Sequence, residues 1–267
     1  MSVMFLMTTM VLYLGGTVFF LAYLVRRSET LSKVSLVITA VGFASHTIAL
    51  ISRMMAAGHV PLTSSHEALS FFSWGLVLVF LWVEVRHQIH ILGSFILPLA
   101  FISLLSAAAL PKEVPTLEPV LGTVWLHVTL SILGTVGFAV AFVAGLMYLI
   151  QERLLKSKRF NVLYAKLPPL DFLDRLNQQS IVLGFPLLTL GIIVGAMSAE
   201  FASGSYLNWN PEQTWALVTW VFYFVVLTGR LTVGWRAKRA AYLTIIGFAG
   251  VVLTFIGVFI KGHGPLA

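Results

Sequence analysis

The sequence predicts an all-α polytopic membrane helical bundle of about eight transmembrane helices, with both termini outside. Three observations predict it. First, the 267 residues are 58% hydrophobic and 10% charged, whereas soluble domains carry about 25% charged residues. Second, runs with few or no charges lie at about 3–25, 34–52, 68–83, 91–110, 120–150, 177–199, 213–229 and 240–260. A helix of about 20 residues crosses a hydrocarbon core of roughly 30 Å. The runs at 68–83 and 213–229 are short, and each extends through one terminal acidic or polar residue. Third, the cations are sorted to one side of these runs.

Fourteen of the 17 Lys and Arg residues lie in one set of connections: Arg26, Arg27, Lys33, Arg86, Arg153, Lys156, Lys158, Arg159, Lys166, Arg175, Arg230, Arg236, Lys238 and Arg239. The other set holds Arg53, Lys112 and Lys261. The positive-inside bias makes the first set cytoplasmic. The net charge of +7 follows from that flanking pattern. It does not form a basic groove, which excludes a nucleic-acid partner. The first run lacks a basic start and a small-residue cleavage site, so it is expected to remain as a span. The chain has no cysteine, which excludes disulfides, thiolate metal sites and thiol catalysis. The expected organisation is one transmembrane domain over 1–267.

Along the chain, most connections are short. Arg26–Lys33, Glu84–His90 and Arg230–Arg239 read as tight inner turns. The outer PKEVPTLEP stretch at 111–119 is Pro-rich and extended. The inner stretch 151–177 is long and basic, and ends in Leu-Pro-Pro-Leu before DFLDRLNQQ. Pro169 suits a helix start, with Asp171 near the positive end of the dipole. Leu170, Leu173 and Leu176 suggest a short amphipathic helix on the inner membrane face. The outer stretch 200–213, EFASGSYLNWNPEQ, combines turn formers with aromatics, and Trp215 and Trp220 follow it. Isolated Trp and Tyr at an interface are belt anchors, which suits Trp74, Trp82 and Trp235. Asn208 and Asn210 around Trp209 suggest a formed platform instead. Gly184, Gly191 and Gly195 share one helix face, where small residues permit close packing.

Seven histidines occupy this frame. His87 and His90 sit with Arg86 on the inner side and read as an interfacial turn. His46 lies about 12 residues from the inner end of its span, roughly 18 Å across. An ionisable group at that depth is either functional or a helix–helix hydrogen-bond partner. His59 and His66 flank the first outer loop, where Thr63 is a candidate helix cap with His66 and Glu67 in the first turn. The fifth run ends inside near 150. Counting back about 20 residues reaches about 130, so His127 lies at the outer surface. His263 follows the last run and lies there too.

Two outward imidazoles beside an aromatic shelf are either belt residues or a site for a flat, apolar, metal-bearing ligand. Haem fits the second description, because low-spin iron accepts an imidazole on each face and the macrocycle needs apolar walls. Neutral imidazoles are available at pH 7. Arg53 and Lys261 are the outward cations available to propionates. Zinc also binds imidazole, but these histidines are surrounded by Trp, Tyr, Gly and Asn rather than carboxylates.

Three segments carry a family likeness: LDFLDRLNQQSIVLGFPLLTLGIIVGAMSA, GSYLNWNPEQTWALVTW and LTGRLTVGWRAKRAAYLTIIGFAGVVLTFIGV. With RMMAAGHVPLTSSHEALSFFSW, they resemble the cytochrome c assembly membrane proteins of the CcsA/ResC and HemX type, over about residues 40–263. That family's haem-handling members carry an outer tryptophan-rich WWD loop flanked by two histidines. The resemblance implies that His127 and His263 are axial ligands of haem iron. It implies a shelf of Tyr206, Trp209 and Trp215, with Asn210, Arg53 and His46 as further cofactor-binding candidates. Gly204, Tyr206, Trp209, Pro211 and Trp215 match the motif. Ser203 and Leu207 replace its tryptophans, Asn210 its aspartate, Glu212 its lysine and Gln213 its glutamate. Thr228, with Gly229 before Arg230, stands where the synthases have a histidine before an arginine.

The implied function is haem presentation at the outer face in c-type cytochrome biogenesis, in a bacterial inner membrane. The expected cofactor is haem b. The expected partners are a ResB-like membrane protein and apocytochrome c, and the chain is at most the haem-delivery part of a haem lyase. The alternative is a HemX-type regulator acting on glutamyl-tRNA reductase levels. A transporter of another kind would need a polar path with broken helices. Pro98 and Pro186 are potential kinks, but no charged residue lies near mid-span.

Overall fold

The computed structural model describes residues 2–26, 28–57, 60, 62, 64–110, 124–158, 161–207, 209 and 211–262. Side chains are described for these, except 2, 202–203, 211–212 and 254–262. Among them every regular element is a helix. In order they are α1 (Ser2–Val25), α2 (Glu29–Ala57), α3 (Ser65–His87), α4 (Gly93–Ala109), α5 (Val124–Lys156), α6 (Val162–Lys166), α7 (Leu170–Ser203), α8 (Pro211–Thr228) and α9 (Lys238–Gly262). A 3₁₀ turn at His90–Leu92 leads into α4, and a π-helical turn at Gly229–Val233 follows α8.

Each of the eight apolar runs falls on one of these helices. Seven are long and apolar enough to cross a membrane, judged on the described residues. The chain is therefore a multi-pass membrane protein. The outward surface agrees: Val11, Val37, Leu183 and Leu253 are all more than 60% exposed, which lipid tolerates and water does not.

The chain divides into two compact units. The first holds α1–α4 and α6. Its centre is apolar and tight. Phe20 and Phe80 meet edge-to-face at 5.6 Å between centroids, and both are buried with Leu76 and Leu97. A Cβ on Gly93 would sit 2.7 Å from the Phe20 ring, so only glycine admits that ring. Two polar clusters lie between this plug and the C-terminal end of α2. His46 is fully buried, with Nε2 3.0 Å from Ser70 Oγ and Nδ1 3.4 Å from the Tyr13 hydroxyl. Nearer that end, Arg53 Nε donates to Glu67 Oε1 at 2.7 Å. His66 Nδ1 donates to the Ala107 carbonyl at 2.7 Å. The cap of α3 is Ser64, which accepts from the Glu67 amide; Thr63 and His59 lie outside the described residues.

At the α3–α4 end of the same unit, the expected solvated turn is more organised than its polarity suggests. Glu84 is buried, and one of its oxygens accepts from His90 Nδ1. Its second oxygen has no partner among the described residues. Lys166 on α6 donates to the Tyr23 and Arg26 carbonyls, closing the C-terminal end of α1. Those carbonyls have no partner inside their own helix.

The second unit holds α5, α7, α8 and α9. The amphipathic stretch after Pro169 is not a separate helix. Pro169 caps α7, which runs unbroken for 34 residues, because no Gly or Pro interrupts the chain between 170 and 183. Leu173 and Leu176 are buried in the unit. Phe138 of α5 stacks on Tyr223 of α8 at 3.6 Å. In the turn after α8, Arg230 is 3% exposed rather than lying free. Its guanidinium donates to Asn177 Oδ1 at 2.5 Å and to Asp174 Oδ1 at 2.7 Å. Asp174 also accepts from the Ala237 amide at the start of α9. Asn177 donates to the Ala141 carbonyl and to Thr244 Oγ1. One buried cation thus joins α5, α7, α8 and α9, and its charge is balanced where it is desolvated.

Candidate functional site

The end of the second unit that carries the start of α5 and the end of α7 is built around the contact between those two helices. Gly184, Gly191 and Gly195 do line one face of α7, and α5 lies against it. A Cβ at Gly134 would fall 2.8 Å from the Leu188 amide and 2.9 Å from the Gly184 carbonyl. A Cβ at Gly191 would meet Ser131, and one at Gly195 would enter the ring of His127. The helices run antiparallel, so α5 residues 134, 131 and 127 meet successively later positions on α7. The glycine stripe that permits close packing ends in a seat for an imidazole.

His127 is held there by a hydrogen bond. Its Nδ1 lies 2.6 Å from the Gly191 carbonyl oxygen. A carbonyl only accepts, so Nδ1 carries the proton. Nε2 has no hydrogen-bond partner among the described residues. The side chain is half-buried. Metal-binding imidazoles commonly donate their second ring N–H to a chain acceptor in this manner.

The tryptophan-bearing loop begins where α7 ends. Gly204, at φ 71°, closes the helix, and its amide donates to the Glu200 carbonyl. That left-handed turn is the natural place for glycine. Tyr206 folds back, and its hydroxyl donates to the Glu200 carboxylate, which holds the phenol protonated to higher pH than usual. Ser205 Oγ donates to the Leu207 carbonyl at 3.0 Å. Trp209, at φ 49°, is 69% exposed. It lines an open apolar recess of about 280 Å³ with Thr214, Leu217, Val218 and Val221 of α8.

Trp220 Nε1 donates to Thr189 Oγ1 at 2.9 Å, which ties α8 to α7. Trp215 lies on α8 between that tie and the Gly204 loop. The second unit therefore carries His127, near the start of α5, and Tyr206, Trp209 and Trp215 at one end. Arg53 and His46 belong to the first unit, where Arg53 pairs with Glu67 and both His46 nitrogens face chain partners. Asn210 and His263 lie outside the described residues, as does Lys261's side chain.

The residues present fit a metalloporphyrin better than a bare cation. No three His, Asp or Glu side chains among the described residues converge as a metal site. What this end of the unit offers is one imidazole nitrogen without a hydrogen-bond partner among the described residues, and exposed indoles at Trp209 and Trp215. Sequence reasoning missed the Glu84–His90 pair, because a histidine next to arginines in a turn looks solvated. It also missed the burial of Arg230, whose partners lie 53 and 56 residues away.

The sequence matches the family model described as cytochrome C assembly protein over residues 62–265. Named relatives are similar along most of their length. A cytochrome c biogenesis protein CcsA of Guillardia theta is 33% identical, covering 82% of this chain and 79% of its own. The CcsA of Porphyra purpurea is 31% identical, covering 97% and 92%. That of Prochlorococcus marinus strain MIT 9312 is 31% identical, covering 82% and 79%.

Proposed function

The chain belongs to the cytochrome c assembly protein family, and from that premise we propose that it presents haem at the outer membrane face for c-type cytochrome biogenesis. A role in cytochrome c biogenesis, with haem and apocytochrome c as the molecules handled, follows from the family and from the name its relatives carry. The finer reading is that His127 Nε2 is one axial ligand and His263 the other. Tyr206, Trp209, Asn210 and Trp215 would wall the ring. The observation that carries it is the geometry of His127: Nδ1 engaged by Gly191, Nε2 without a partner among the described residues, and indoles at the same end of the unit.

Bound haem b would supply the iron and the vinyl groups to which an apocytochrome's cysteines attach. This chain's own residues orient and shield. Gly191 and Gly195 fix the imidazole plane, and the Glu200–Tyr206 contact ties the loop to α7. The Trp209 recess offers apolar surface that excludes water. In this reading the chain, which has no cysteine, is the delivery part of the machinery. A ResB-like membrane partner would hold the apocytochrome. Both termini would face outward from a bacterial cytoplasmic membrane, as the cation sorting favours.

Deleting the gene in its host and staining for covalently bound haem tests this role. Loss of c-type cytochromes, restored by the wild-type gene and not by His127→Ala, is the expected result. Normal cytochrome levels in the deletion strain would overturn it. A changed glutamyl-tRNA reductase level in that strain would support the HemX-type regulator instead.

A further inference from the structure

We infer that the Gly191–Gly195 turn of α7 locks His127 in its Nδ1–H tautomer, making these two glycines the positioning residues for whatever binds Nε2. The inference rests on the haem reading only for its ligand; the tautomer itself is a property of the chain.

Three observations converge. The Gly191 carbonyl accepts from Nδ1 at 2.6 Å, although in the α-helix it already serves the amide four residues on. Sharing that oxygen requires a close approach by the ring. Gly195 permits it, because a Cβ there would occupy the space of Nδ1, Cε1 and Cγ. One turn inward, Gly191 itself accommodates Ser131, whose Oγ is buried without a partner among the described residues. Ser131 therefore does not compete for Nδ1. The ring can neither rotate toward α7 nor flip its nitrogens without losing the bond.

The consequence is chemical. A backbone carbonyl is a weaker acceptor than a carboxylate, which in its place would give a bound iron a more anionic donor. Hydrogen bonding at the second ring nitrogen is one lever on haem reduction potential. With the weaker acceptor, this seat would favour the reduced state of a bound iron. Sequence reasoning found these glycines as a packing stripe. Their role toward the imidazole emerges only from which α5 residue each one faces.

The test uses the full-length protein in detergent, labelled with ¹⁵N-histidine and free of haem, with the His127 signal assigned by difference against His127→Gln. At neutral pH, an Nδ1-protonated His127 supports the inference. An Nε2-protonated ring overturns it, whatever the protein binds. The second arm is Gly195→Ala, reconstituted with haem beside the wild type. Removal of an outer partner of a ligating histidine typically costs about 10–100-fold in metal affinity. A loss in that range and a shifted midpoint potential, with unchanged helix content, are expected. Unaltered affinity and potential in Gly195→Ala would overturn the positioning role. A wild type that shows the Nδ1–H tautomer but retains no haem would defeat the proposed function and leave the tautomer assignment standing.

Discussion

His127 Nδ1 donates to the Gly191 carbonyl across the α5–α7 contact at 2.6 Å. The pairing fixes the imidazole and leaves Nε2 with no hydrogen-bond partner among the described residues. Its origin is a helix face with no side chains, at Gly184, Gly191 and Gly195.

The α5–α7 contact should tolerate no added bulk. Gly134→Val places a branched side chain where the Leu188 amide and Gly184 carbonyl already stand within 3 Å of a Cβ. Overpacking of this kind costs about 1–3 kcal/mol. A lowered unfolding midpoint in detergent is expected. Haem retention should weaken too, since His127 is two turns away on α5.

The shelf should contribute incrementally. Aromatic contacts contribute about 0.5–1.5 kcal/mol beyond area burial. Trp209→Ala and Trp215→Ala should therefore each weaken haem retention about 2- to 10-fold, measured by titration of purified protein. Neither substitution should unfold the chain, because both side chains are at least half exposed.

The Arg230 network should behave differently. Removing one member of a buried ion pair strands the other, at a cost of about 3 kcal/mol. Arg230→Ala is expected to lower thermal stability by that order. Arg230→Lys should rescue it only in part, because lysine cannot reach Asn177 and Asp174 with a planar fork. Wild-type stability in both variants would show that the network contributes nothing.

His46 is a further case. Its nitrogens face Ser70 and Tyr13, so His46→Ala leaves buried hydroxyls unpaired, at about 1–3 kcal/mol. The expected outcome is lower stability with the spectrum of haem at His127 retained. Loss of that spectrum in a folded His46→Ala protein would assign His46 to haem ligation.

Much of the fold was legible because lipid imposes a simple code. Long apolar runs become helices, since no other structure satisfies the backbone in hydrocarbon, and all eight runs fall on α1–α5 and α7–α9. The loop from Gly204 was legible as a turn because glycine favours φ > 0. The rest depended on distance in sequence. Nothing near Leu170 marks where an amphipathic stretch merges into a span, so α7 looked like two helices. Arg230 looked like an ordinary flanking cation because Asp174 and Asn177 come from another helix. For His127, depth could be counted from the inner end of its run, but the proton position required seeing Gly191.

The central claim is that His127 Nε2 ligates haem iron, and the absorption spectrum of the solubilised, purified protein tests it most directly. A low-spin haem spectrum in the wild type, and its loss in a folded His127→Ala protein, is the expected result. A wild type without haem after reconstitution, or a His127→Ala spectrum identical to wild type, would contradict it.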